Sequence, residues 1–149
     1  MNFEKLLGEG KIEKIEKKEI DFDLVEKDLE VAKKNLKNGD YGWTETIAYN
    51  SILRAGIKLM GFLGFRAIGK EHHKNVFEFL NETGIEENLI RYFNKMRVKR
   101  NEFIYRDISS SSPKECEETI KLAEEFVQKI RTFVQKIRTE NQEVEATTK

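Results

Sequence analysis

Arg100, Asn101 and Tyr105 stand within a six-residue stretch of the segment 91–106, RYFNKMRVKRNEFIYR, and each residue type can act on a phosphate or a base. An arginine offers a planar fork that grips phosphate oxygens. An asparagine offers a neutral amide, and a tyrosine offers a hydroxyl on a ring that can stack on a base. The same segment holds six cations (Arg91, Lys95, Arg97, Lys99, Arg100 and Arg106) against one acid, Glu102. A solvated helix face with cations drawn to the negative end of the helix dipole would account for part of that excess. Helical geometry argues for more. At about 100° per residue, Leu89, Phe93, Met96, Phe103 and Ile104 fall on one side of a helix, and Arg100 falls in the middle of that apolar stripe. A guanidinium there must be paired, sit at a subunit interface or line a cleft, because an unpaired buried charge is too costly. Asp28, Glu30 and Glu45 are the acids that could pair with it inside the chain. Arg97, Asn101 and Tyr105, spaced four apart, form a polar row along the edge of the stripe. Arg97, Lys99 and Arg106 are the candidate phosphate-backbone contacts.

The remaining groups with chemical potential are fewer. His72 and His73 are adjacent, so on a helix they diverge, whereas zinc-binding pairs on helices sit four apart. They read as polar residues at a helix entry that could also reach the Arg100 cleft and bind RNA or a nucleotide there. Glu71, Glu78 and Glu82 lack the repeated Glu-x-x-His arrangement of di-iron bundles. Gly8-Glu9-Gly10 and Gly61-x-x-Gly64 follow no strand, so neither reads as a phosphate loop. Cys116 has no Cys or His at catalytic spacing, and Glu115, Glu117 and Glu118 would hold its thiol protonated. No metal and no cofactor is expected.

These residues need a scaffold, and the composition points to one helical domain. The chain has 149 residues, a common size for a single core. It is 36% charged, yet its ten phenylalanines and many Leu and Ile argue against wholesale disorder. Proline occurs once, at Pro113, which permits long helices. Net charge is zero, so any affinity for nucleic acid must come from local clustering. One cysteine cannot close an intramolecular disulfide, which fits a reducing compartment. No apolar run is long enough to span a bilayer, and the Lys- and Glu-rich start lacks the apolar core of a signal peptide. A cytoplasmic protein without membrane contact is expected.

Periodicity sets out the elements. Residues 1–20 read as an N-terminal helical arm interrupted at Gly8 and Gly10. Phe22, Val25, Leu29, Ala32 and Leu36 form one face of a helix over roughly 21–38, with Asp21 or Asp23 at its start. Asn38-Gly39-Asp40 is a turn. Segment 41–67 is apolar around much of its circumference and reads as the central helix, its glycines marking close approach of a neighbour and Gly64 its end. Helices follow over roughly 70–82, ending at Thr83-Gly84, and over roughly 85–107. The last begins near Pro113 and contains two identical heptads, Phe126-Val-Gln-Lys-Ile-Arg-Thr132 and Phe133-Val-Gln-Lys-Ile-Arg-Thr139. Leu122, Phe126, Ile130, Phe133 and Ile137 make its inner stripe, and the second heptad reads as a duplication that lengthens the helix. Nothing reads as strand. The expected fold is all-α: an up-and-down bundle of four to five helices over 21–140, with 141–149 a disordered tail.

With the elements in place, the chain resembles the HEPN superfamily of helical domains over roughly 22–130. Their signature is an Arg, often followed by Asn, Asp or His, and then a His four to six residues after the Arg, late in the bundle. Arg100-Asn101 begins that pattern. Asp40-Tyr41, Ala48-Tyr49-Asn50, Gly64-Phe65-Arg66 and His72-His73 supply the context. The resemblance implies a homodimer with Arg100 of both subunits at a shared cleft. It also implies an RNA or nucleotide ligand and a setting in a toxin–antitoxin pair or beside a nucleotidyltransferase partner. Active members resemble metal-independent ribonucleases: the RNA 2′-hydroxyl attacks the adjacent phosphate, His moves protons and Arg stabilises phosphate charge. This sequence has Tyr105 five residues after Arg100, and no His follows His73. Tyrosine titrates near pH 10, a poor match to proton transfer at neutral pH. The expected function is therefore RNA or nucleotide binding with ribonuclease activity weakened or absent. An active endoribonuclease toxin and a purely structural helical module are the alternatives.

Overall fold

A computed structural model describes residues 1–103 and 111–148, with the backbone alone at 100–103 and at 148. In chain order these residues form α1 (Glu4–Gly8), β1 (Ile12–Lys14), α2 (Asp23–Lys37), α3 (Tyr41–Leu63), β2 (Phe65–Ala67), α4 (His72–Glu82), α5 (Glu87–Phe103) and α6 (Pro113–Thr148). The fold is the expected all-α helical bundle, with one small addition described below.

Local chemistry explains most helix boundaries. Asp21 Oδ1 accepts the Asp23 N–H at 2.8 Å where α2 begins, satisfying a donor that has no partner inside the helix. Ser112 does the same for α6: its hydroxyl accepts the Glu115 N–H at 3.1 Å. Pro113, in the first turn, has no N–H to satisfy. Gly64 ends α3 at φ +90°, a conformation that glycine adopts without the Cβ clash other residues suffer. Helix α3 therefore stops at Leu63 rather than 67.

The core is built on α3. Ala48, Ile52, Ala55, Leu59 and Met60 are buried, as are Val25 and Leu29 from α2, Val76, Phe77, Phe79 and Leu80 from α4, Phe93 from α5 and Phe126 and Ile130 from α6. Gly56 lets α4 approach closely: a Cβ there would lie 3.0 Å from Val76 Cγ1 and 3.1 Å from Leu80 Cδ1. Phe93 and Phe126 meet edge to face at 5.4 Å, a favoured geometry for aromatic pairs.

The expectation of no strand is overturned. β1 and β2 pair antiparallel, with Ile12 opposite Ala67 and Lys14 opposite Phe65. The Lys/Glu-rich arm hides this in sequence, because what recruits it is the open end of α3. Ile15 N–H donates to Gly64 O and Lys18 N–H to Gly61 O, both at 2.9 Å, adding partners to carbonyls at the helix end, where the regular ladder runs out. Arg66 pairs with Glu13 across the two strands. Phe3 stacks on Phe79 with centroids 4.2 Å apart, and Ile12 is 2% exposed. Lys11 lies 2.9 Å from Glu78 and 2.9 Å from Glu9, and these two carboxylates hold its ammonium firmly charged.

The duplicated heptads of α6 meet different surroundings. Phe126 and Ile130 are fully buried, whereas their counterparts Phe133 and Ile137 are half-buried. Leu122 is also half-buried, and the deepest line of α6 runs through Cys116, Ala123, Phe126, Ile130 and Val134. Arg131 pairs with Glu26 and lies over the Phe22 ring, 4.4 Å from its centroid. Arg138 pairs with Glu19 at 3.2 Å and lies 5.6 Å from the Phe62 centroid. Each repeat thus joins an ion pair to a cation–π contact, the first on α2 and the second on the arm and the end of α3. Beyond 140 the chain continues helical to Thr148 instead of leaving the helix. Neither Gly nor Pro interrupts it, and every side chain from Thr139 to Thr147 is exposed.

Candidate functional site

Helix α5 carries the cationic segment, and its inner face is as the periodicity predicts as far as Met96; the Phe103 side chain and Ile104 lie outside the described residues. Leu89, Ile90 and Phe93 are buried and Met96 is half-buried. Arg100 takes the backbone position four residues after Met96, the next along that face, and Asn101 follows it in the last turn. The side chains of Arg100 and Asn101, and Tyr105 and Arg106 altogether, lie outside the described residues. Of the remaining cations, Arg91 pairs with Glu87 at 3.0 Å. Arg97 Nε donates to Asn94 Oδ1 at 2.9 Å within its own helix. Lys95 and Lys99 are exposed.

Beneath α5 lies a polar network that no sequence pattern announced. Thr119 of α6 places its hydroxyl 3.0 and 3.2 Å from the two carboxylate oxygens of Glu45, in the second turn of α3. The Tyr92 hydroxyl of α5 lies 3.1 Å from the same Thr119 oxygen. A threonine has one proton to donate. With Glu45 ionised that proton goes to the carboxylate, so Tyr92 must be the donor to Thr119. Three helices are tied together through one carboxyl. Glu45 was among the acids considered for Arg100. Tyr92 and Thr119 were missed, since the contact joins residues 74 positions apart and leaves no local signal.

Burial holds the Glu45 carboxyl above the ordinary carboxylate range, because removing the anion from water favours the neutral form. Thr119 and Cys116 pull it back by hydrogen bonding, Glu115 adds repulsion and Lys99 adds attraction. Burial also pushes the Cys116 thiol up to about 12, with Glu45 and Glu115 adding to the effect. Cys116 Sγ lies 3.4 Å from Tyr41 O, so its one proton is shared between that carbonyl and Glu45, and the thiol is inert as a nucleophile. The sign of the Glu45 shift has a consequence for stability. A folded pKa above the unfolded one means the folded state holds the proton more tightly, so this stabilisation is present at acid pH and lost as pH rises through the folded value. Glu45→Gln removes that loss. Its melting temperature relative to wild type should climb from about pH 4 to pH 7, measured by circular dichroism; parallel curves for the two proteins would contradict the assignment.

The other candidates fall elsewhere. Asp28, considered as a partner for Arg100, pairs instead with Arg54 at 2.9 Å, and Glu30 is exposed beside Lys33 and Glu124 in the groove between α2 and α6. His72 and His73 open α4 with ring centroids 4.3 Å apart. His72 Nδ1 lies 3.2 Å from Gly69 O, which makes Nδ1 the protonated nitrogen. They follow the end of α3, whereas Glu45 lies in the second turn of α3, within electrostatic reach of Lys99. About 27 Å of helix separates the two ends of α3. Among the described residues, no group of three or more His, Cys, Asp or Glu side chains is placed to hold a metal ion, and no helix is long and apolar enough to cross a membrane.

Fold and site together define a helical-bundle protein with a cationic helix over a carboxyl network. The HEPN domain model matches residues 25–133, well over half of the chain, and the chain belongs to the HEPN family. No curated protein and no solved structure matches it.

Proposed function

We propose that this chain is an RNA- or nucleotide-binding HEPN protein with weak or absent ribonuclease activity. It acts as a cytoplasmic homodimer in a toxin–antitoxin pair or beside a nucleotidyltransferase partner. The observation that carries the binding function is the state of the α5 cations. Arg91 is tied to Glu87, while Lys95 and Lys99 stand exposed on the approach to Arg100 and Asn101. Arg97, Lys99 and Arg106 supply charge for the phosphate backbone, and Arg100, Asn101 and Tyr105 form the centre of the site. His72 and His73 belong to it only if a second subunit brings them there. Dimer formation is supported by exposed apolar side chains on α2 (Leu24 and Val31) and α3 (Trp43 and Ile57), which association would remove from water.

The test is binding of a fluorescein-labelled single-stranded RNA, followed by anisotropy between about 50 and 200 mM salt. Affinity is expected to fall with salt. Arg100→Ala should weaken it roughly tenfold, as for loss of one charge-assisted contact, and reduce the salt slope by about 0.7, the share of one phosphate contact on a single strand. A monodisperse protein without affinity for RNA or nucleotides at low salt would end this reading.

A further inference from the structure

We infer that Glu45 is the proton-transfer group at this end of the bundle, accepting the 2′-hydroxyl proton of an RNA whose phosphate lies against Lys99. The inference rests on the RNA-binding reading above and adds a slow cleavage reaction to it. Three helices converge on this carboxyl. Helix α3 supplies Glu45, α6 fixes both its oxygens through Thr119, and α5 secures Thr119 through Tyr92. The carboxyl is braced, so little reorganisation is needed to present it. It is also partly open to solvent, which leaves an approach for a ligand.

Its electrostatic setting suits the role. No ion pair engages Glu45 among the described residues, and Lys99 is the cation that acts on it. Lys99 is exposed and adjoins Arg100 in sequence, so a phosphate and this acid would occupy the same end of the bundle. A desolvated carboxyl titrates nearer to neutral pH than an exposed one, and that makes it a stronger base once ionised. Histidine is absent from the chain after His73, and within one chain the two histidines sit at the far end of α3. Glu45 supplies the basic function they do not.

The step balances. The Glu45 carboxylate takes the proton of the 2′-hydroxyl, and the 2′-oxygen forms a bond to phosphorus. The bond from phosphorus to the 5′-oxygen breaks, and the leaving 5′-oxygen takes a proton from water. The products are a 2′,3′-cyclic phosphate and a free 5′-hydroxyl. Thr119 and Tyr92 are positioning residues that hold the carboxyl in place.

The experiment is single-turnover cleavage of the same labelled RNA by the full chain from pH 4 to 9, alongside the anisotropy assay. Wild type is expected to cleave slowly, with a rate that rises through a pKa above the ordinary carboxylate range. Glu45→Gln should lower the rate about a hundredfold with RNA affinity unchanged or slightly tightened, because a negative charge is removed. Glu45→Asp should recover part of the rate. The inference is overturned if wild type binds RNA but cleaves none of it across this range, or if Glu45→Gln cleaves as wild type does. Loss of affinity in Glu45→Gln matching the loss of rate would also overturn it, since that would make the network structural. Failure of RNA binding by wild type would instead remove the reading beneath it.

Discussion

Replacing Tyr105 with histidine should raise RNA cleavage at pH 7 about a hundredfold over wild type, the lower end of what a positioned general acid–base group contributes. The argument is one of protonation. A tyrosine with its usual pKa near 10 is about 0.1% ionised at pH 7, whereas an imidazole near 6.5 is mostly in its basic form and still supplies acid. The substitution gives an Arg-to-His spacing of five, within the four to six residues of the HEPN signature. Activity gained in this way should be insensitive to chelators and should yield cyclic phosphate ends. It should also fall back when Arg100→Ala is added, because arginine stabilises the developing charge. Substrate cleavage that stays at the wild-type level in Tyr105→His, with RNA binding intact, would show that Tyr105 is not what limits the chemistry. Retention of the new activity in a Tyr105→His/Glu45→Gln protein would separate the introduced imidazole from the Glu45 route.

Phe126→Ala should cost about 3–5 kcal/mol of unfolding free energy, as for truncation of a large buried ring, with little change in denaturant slope. Phe126 is fully buried and meets Phe93 edge to face at 5.4 Å, so its loss removes apolar burial and leaves a cavity where α5 and α6 join. A typical domain has only about 5–15 kcal/mol to lose. The duplicated heptad supplies an internal control. Phe133 occupies the same repeat position but is half-buried, so Phe133→Ala should cost clearly less, about 1–2 kcal/mol by the area it hides. Guanidinium unfolding of the two variants tests the comparison. Equal costs would mean that the second heptad packs as deeply as the first.

That pair of phenylalanines also marks how far sequence reading reaches. Both sit on the same stripe by periodicity, and the stripe is correct, but periodicity assigns a face and not a depth. Depth depends on what lies opposite, and the second heptad lies at the edge of the core, where Val134 is still buried but Arg138 reaches the arm. Arg131 and Arg138 carry the same lesson: the same residue at the same repeat position found Phe22 in one case and Phe62 in the other. Asp28 shows the limit for charges, since its partner Arg54 lies 26 positions away and nothing in either segment names the other.

What the sequence by itself determined is the set of helices and several of their boundaries. The turn at Gly39, the left-handed end at Gly64, the break at Thr83-Gly84 and the start at Pro113 are written in local backbone preferences, which act over a few residues. The buried stripe of α5, and with it the backbone position of Arg100, follows from the 3.6-residue period alone. Tertiary structure decided how the arm pairs with β2, which end of α3 holds the histidines, and how Glu45, Thr119 and Tyr92 meet. Those outcomes depend on groups far apart in the chain satisfying one another once the helices pack, and burial then set the protonation of Glu45. Arg100, Asn101 and Tyr105 were legible as a cationic helix end. The Glu45 carboxyl became a candidate for chemistry only when three helices closed around it.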